Sequence, residues 1–273
     1  MEITYLSILL FFITTIVYYI LPFIGKIPLT LDVLDDTTGT GKFNEFYTSN
    51  WIRLAIYFGF VVMTQYILNT VSIINNCGGD IVSNFTNGFL ITFMPWVFIF
   101  GIMLIMLIVF PGFKSAFSDI IGYFIVANSA NDVLSKILVD KEVDTALDGT
   151  GPETKELRNS AESIMKLYSN KAIIINQIVP ENFMETWETL KPLMKPNVSD
   201  DLKSKLLDIV VMRDNIGEAC WYLYTAIVII SFISYKLSMQ ECQNTIFDVE
   251  KESKKRQSDY DKQLKKEDAK NKK

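Results

Sequence analysis

The stretch Thr38-Gly39-Thr40-Gly41-Lys42 comes closest to a chemical motif, since it is similar to the end of a phosphate-binding loop, where backbone amides cradle phosphates beside a lysine. The full pattern needs a glycine five residues before Gly41 and a Ser or Thr after the lysine. Those positions hold Asp36 and Phe43, so the stretch reads as a polar turn. Asp140, Asp144 and Asp148 precede Gly149 at a spacing of four, where a calcium loop needs two, and they read as a solvated helix end and turn. The chain has no histidine, and its three cysteines, Cys77, Cys220 and Cys242, lie far apart. No zinc pattern can be built from them, and a catalytic triad would need a base other than imidazole. Asp200-Asp201 are explained as helix-start carboxylates facing the positive end of the helix dipole. No catalytic residue, cofactor or metal ligand is assigned, and no enzyme is expected.

The remaining candidates are polar groups in apolar surroundings. Gln65, Asn69 and Ser72 fall at i, i+4 and i+7, one face of a helix. Interhelical hydrogen bonding is the plainer reading and a polar pore lining the sharper one. Asn84-Phe85-Thr86 and Asn197-Val198-Ser199 are glycosylation sequons. The tail from Asp248 to Lys273 interleaves acids with lysines such as Lys254-Lys255. That weakens nucleic-acid or lipid attraction and reads as a solvated tether.

The elements that must position these residues follow from where charge is missing. Hydrophobic types make up 49% of the 273 residues, and the net charge is -5. No charge occurs between Glu2 and Lys26, Arg53 and Asp80, Asp80 and Lys114, or Glu218 and Lys236. Each window can hold the roughly 17 to 25 apolar residues that a hydrocarbon core of ~30 Å requires. A soluble domain would interleave polar residues at helix or strand period. Four spans are therefore expected: about Ile3 to Ile24, Leu54 to Ile74, Gly88 to Phe110 with Pro95 as a kink, and Ala219 to Tyr235. The first reads as a retained anchor and not a cleaved signal. Trp51, Arg53, Trp221 and Tyr235 are the expected membrane-interface anchors. The spans contain no ionisable residue, unlike those of pumps, proton relays and voltage sensors.

The expected fold class is an all-α membrane protein: four transmembrane helices, a helical extramembrane domain and a charged C-terminal tail. Residues 1–112 hold three spans, 113–217 the extramembrane domain, 218–240 the fourth span and 241–273 the tail. Within the domain, Ser118 caps a helix through Val139 that lies near the membrane surface through Ile121, Phe124, Ile125 and Leu138. Pro152 opens a second helix carrying Leu157, Ala161, Ile164 and Tyr168. A third follows Pro180 with Phe183, Trp187, Leu190 and Met194 on one face. The isoleucine run in Lys171 to Val179 reads as a strand. From Asp200 to Met239 no proline intervenes, so one helix of about 60 Å is expected, capped by Ser199. Gly217 is its weakest point, and Gly217→Ala is expected to be tolerated or mildly stabilising. Lys114, Lys203, Lys205 and Arg213 favour a cytosolic large loop, while the basic residues of the tail argue the other way.

Three stretches resemble a family of membrane proteins from the nucleocytoplasmic large DNA viruses, which carry a lipid bilayer beneath an icosahedral capsid. They are Phe110-Pro-Gly-Phe-Lys-Ser-Ala-Phe-Ser-Asp-Ile-Ile-Gly-Tyr123, Asn170-Lys-Ala-Ile-Ile-Ile-Asn-Gln-Ile178 with Glu181-Asn182-Phe183, and Cys220 to Tyr235 followed by Cys242. The resemblance implies a structural component of a virion internal membrane, derived from host endoplasmic reticulum. Its implied partners are the lipid bilayer and other capsid or membrane proteins, with no nucleic acid and with self-association left open. The alternatives are a small channel or transporter using Gln65, Asn69 and Ser72, an endoplasmic-reticulum adaptor and, last, a membrane-bound enzyme.

Overall fold

A computed structural model describes residues 2–35, 41–77, 81–138 and 171–239, with a few positions between 253 and 260. It is about 88% helical, and its described residues contain no strand, only an isolated antiparallel bridge between Leu138 and Met194. In chain order the helices are α1 (Glu2–Ile20), α2 (Leu31–Leu34), α3 (Lys42–Cys77), α4 (Ile81–Pro95), α5 (Ile102–Val109), α6 (Ser115–Phe117), α7 (Tyr123–Ile137), α8 (Lys171–Gln177), α9 (Phe183–Leu190) and α10 (Asp200–Ser238).

Among the described residues, three stretches are long and apolar enough to cross a membrane: Lys42–Asn76, Phe85–Val109 and Asp200–Ser238. Four spans were expected, and the first falls short because α1 ends at Ile20 and not near Ile24. Pro22 has no amide hydrogen with which to continue the ladder. The chain instead turns back on the helix end, with the Gly25 amide bonded to the Leu21 carbonyl and the Lys26 amide to that of Tyr18. A side chain at Gly25 would sit 1.9 Å from the Tyr18 carbonyl oxygen, so only glycine fits this reversal. Pro95 does not break the third span. A π-helical turn, Trp96–Gly101, follows it directly and carries the chain into α5.

Burial along α3 is the reverse of that on a helix in water. Gln65 and Asn69 are buried, while Ile56, Phe60, Met63 and Ile67, spaced at i, i+4, i+7 and i+11, are more than half exposed. The buried side of α3 mixes these amides with Tyr57, Val61, Tyr66 and Ile73, and an apolar outer face with polar groups turned inward is stable when the surrounding solvent is lipid.

Two compact units emerge. One comprises the described residues of Met1–Phe11, Gly59–Phe100 and Ala226–Lys273. Phe11, Trp96 and Phe100 form an aromatic cluster in it, with ring centroids 5.3 to 5.7 Å apart. The other comprises Phe12–Phe58 and Gly101–Thr225. Its core joins Val126, Leu134 and Ile137 of α7, Ile174 and Ile175 of α8, Phe183 and Trp187 of α9, and Leu206, Leu207 and Val210 of α10.

In this second unit the isoleucine run Lys171 to Val179 is not the expected strand but a helix as far as Gln177. Ile174, Ile175 and Ile178 are buried at a spacing that suits a helix face, so packing overrides β-branched propensity. The helix after Pro180 is present and buries Phe183, Trp187 and Leu190. The expected Ser118–Val139 helix opens as a π-helical turn, Ser118–Gly122, before α7. Ile121, Phe124 and Ile125 are exposed, whereas Leu138 is buried. The Pro152 helix, Cys242, Asp140 to Gly149 and nearly all of the tail lie outside the described residues.

The Asp200 helix is continuous for 39 residues and ends within one residue of the expected Met239. Its start is marked by the Leu202 amide, which reaches the Ser199 carbonyl at 3.0 Å and the Ser199 hydroxyl at 3.4 Å. Gly217 is a contact point and not a weak one. An added Cβ there would stand 2.8 Å from the Ser118 amide nitrogen and 2.9 Å from its Cα, while one at Gly122 would stand 2.6 Å from the Arg213 carbonyl oxygen. The π-helical turn thus runs antiparallel along one turn of α10, with a glycine at each end of the crossing.

Candidate functional site

The most distinctive chemistry of the second unit is a cluster of buried charges where the apolar windows end. Lys26 follows the α1 reversal, Lys114 ends the Pro111–Lys114 turn after α5, and α10 supplies Asp214 and Glu218 four residues apart on one face. Lys26 Nζ lies 2.7 Å from Glu218 Oε2; Lys114 Nζ lies 2.9 Å from Asp214 Oδ2 and 3.4 Å from Glu218 Oε2. The Tyr222 hydroxyl donates to Glu218 Oε1. Two ammoniums therefore face two carboxylates, and Glu218 accepts hydrogen bonds from Lys26 and Tyr222 while Lys114 pairs with it by charge. Burial opposes the charged form of Lys114, but Glu218 and Asp214 outweigh it and hold its pKa above the ordinary lysine value.

Two arginines brace this region from either side. Arg213 is fully buried, and its guanidinium donates to the carbonyls of Ile175 and Ile178, the latter at 2.9 Å. It therefore satisfies backbone oxygens that α8 leaves open at its carboxyl end. Arg53 donates to the carbonyls of Pro22 and Gly25 at 2.8 and 2.9 Å, pinning the α1 reversal. It was expected to snorkel as an interface anchor, and its guanidinium is committed to the backbone of this turn.

Of the other anchors, Trp51 is about half exposed and lines a cavity beside the cluster. Trp221 donates its indole N–H to the Phe113 carbonyl at 3.0 Å and stacks on the Phe113 ring at 4.5 Å. Tyr235 is exposed. In the first unit, Gln65 donates to the Ser7 carbonyl at 3.1 Å and accepts from the Ser7 hydroxyl, and Asn69 donates to the Thr92 hydroxyl at 2.9 Å. Ser72 lines a polar cavity of about 330 Å³ with Thr4, Ser7, Asn75 and Ser234. Gly41 has a positive φ of 79°, and Lys42 opens α3, so the loop-like stretch ends as a helix start. Among the described residues no group of three or more metal-ligating side chains comes together.

Sequence reasoning did not single out the charge cluster, because Lys26, Lys114 and Glu218 each border an uncharged window and Asp214 lies one helical turn before Glu218. One signal was present. Lys26 ends the first window, Lys114 ends the third and Glu218 precedes the fourth, so charges of opposite sign recur at one boundary. Compared with known proteins, the chain matches no family model, no curated protein and no solved structure.

Proposed function

We propose that this chain is a non-enzymatic membrane scaffold, a structural component of a viral internal membrane that docks capsid or core proteins through its extramembrane helical domain. The observation that carries the reading is α10. Leu206, Leu207 and Val210 belong to the domain core, and the same unbroken helix continues into the apolar window that starts at Ala219. Between them, Asp214 and Glu218 tie it to Lys26 and Lys114. A helix built this way couples a folded domain to the bilayer without a hinge, which a docking protein needs. Gln65 and Asn69 already hydrogen-bond Ser7 and Thr92, which favours membrane helix packing over a conducting row.

The viral setting rests on the resemblance of the Phe110–Tyr123, Asn170–Phe183 and Cys220–Tyr235 stretches described above. In this reading α1 is also embedded in the bilayer, where its 19 residues reach about 28 Å, just under the ~30 Å of a hydrocarbon core. The deciding experiment is quantitative proteomics of purified particles combined with alkaline carbonate extraction. The scaffold reading expects high copy number in particles and retention in the membrane pellet. Recovery only from host membranes would replace it with the adaptor reading.

A further inference from the structure

Beside the charge cluster is a cavity of about 260 Å³, which lies wholly within the second unit. Its polar wall carries Lys26, Lys114, Asp214, Glu218 and Glu181. The cavity is also lined by apolar and aromatic residues, among them Tyr47, Trp51 and Leu54 of α3 and Leu107 and Ile108 at the end of α5. We propose that this cavity holds the headgroup of one zwitterionic phospholipid, its phosphate toward Lys26 and Lys114 and its ammonium toward Asp214, Glu181 and the aromatic rings.

Four features point to that ligand. The site has both signs of charge, two ammoniums and three carboxylates, so its net charge is negative and disfavours a purely anionic headgroup. Tyr47 and Trp51 line the same cavity as those carboxylates, and aromatic rings together with carboxylates suit a quaternary ammonium. The volume is near the lower end of ligand pockets, on the order of 300 Å³, so it suits a headgroup and not a whole lipid. The walls lie where the apolar windows stop, at Pro111 and Glu218, which is the depth of lipid headgroups. The occupant is accordingly a bilayer lipid, although free phosphocholine shares its chemistry.

The test uses the full chain in maltoside micelles, with native mass spectrometry after equilibration against equal amounts of phosphatidylcholine and phosphatidylglycerol. One phosphatidylcholine should remain bound, at least ten-fold in excess of phosphatidylglycerol, and excess free phosphocholine should not displace it. Ile108→Trp, which fills the cavity without removing a member of an ion pair, should reduce retention at least ten-fold. Tyr47 and Trp51 are 43% and 46% exposed, so the double variant Tyr47→Leu with Trp51→Leu keeps the fold and should weaken retention several-fold. Equal retention of the two lipids, or retention that neither variant alters, would make the cluster a purely structural lock. Displacement by free phosphocholine would show a soluble ligand and overturn the lipid assignment.

Discussion

Replacing Gly217 by alanine tests whether helix propensity or close packing governs the middle of α10. Propensity alone favours the change by about 1 kcal/mol, since glycine in a helix interior is that much worse than alanine. The contact acts the other way. The new methyl would stand 2.6 Å from Ser118 Cβ, 2.8 Å from the Ser118 amide nitrogen and 2.9 Å from its Cα. Two of those atoms are backbone, held in a π-helical turn, so relief requires moving the turn and not a rotamer. Overpacking of this kind costs roughly 1 to 3 kcal/mol, which leaves a net loss of about 1 kcal/mol after the propensity gain. For a chain of this size that is a fall in melting temperature of roughly 2 to 4 °C. Gly59→Ala is the matched control, because a Cβ at Gly59 in α3 meets nothing within 4 Å. Thermal unfolding in detergent, followed by helical circular dichroism, should show Gly217→Ala below wild type and Gly59→Ala at or above it. If Gly217→Ala rises with Gly59→Ala, the crossing of α10 with the Ser118–Gly122 turn is looser than described and the packing argument fails.

Lys114→Met should destabilise by about 3 kcal/mol, near the lower end for a broken buried pair, because Lys26 still serves Glu218; chemical denaturation of the two chains measures it. The same lysine sets an alkaline limit. Its folded pKa is raised above the unfolded value of about 10.4, so its contribution is complete below that pH and is lost as pH rises through the folded value. Wild type should therefore lose melting temperature above pH ~10.5 more steeply than Lys114→Met, and parallel curves would refute the pairing. Arg213→Leu leaves the Ile175 and Ile178 carbonyls without their guanidinium and should cost roughly 2 to 5 kcal/mol, with hydrogen exchange quickening first across Lys171–Gln177. Spin labels at Asp201 and Tyr224, both exposed, should lie about 35 Å apart if α10 is unbroken past Gly217, and a much shorter distance would mean a bend.

Charge placement alone determined the membrane character, because a run without Asp, Glu, Lys or Arg as long as Arg53 to Asp80 has few uses outside a bilayer. The course of α10 was equally legible, since Ser199, Asp200 and Asp201 mark a start and no proline follows until the chain has crossed the apolar window. Phe183, Trp187 and Leu190 announced their buried face through spacing. Tertiary structure decided the rest, wherever an outcome depended on a partner distant in sequence. Lys171–Gln177 is a helix because its isoleucines meet α7 and α10 and Arg213 takes its end carbonyls, none of which local propensity contains. Helix α1 stops at Ile20 because Gly25 folds against Tyr18 and Arg53 holds the turn. Glu218 and Lys114 looked like ordinary boundary charges until the fold set them 3.4 Å apart. Gly217 changed its meaning for the same reason: propensity belongs to one residue, but a contact belongs to two, and only the fold says which two meet.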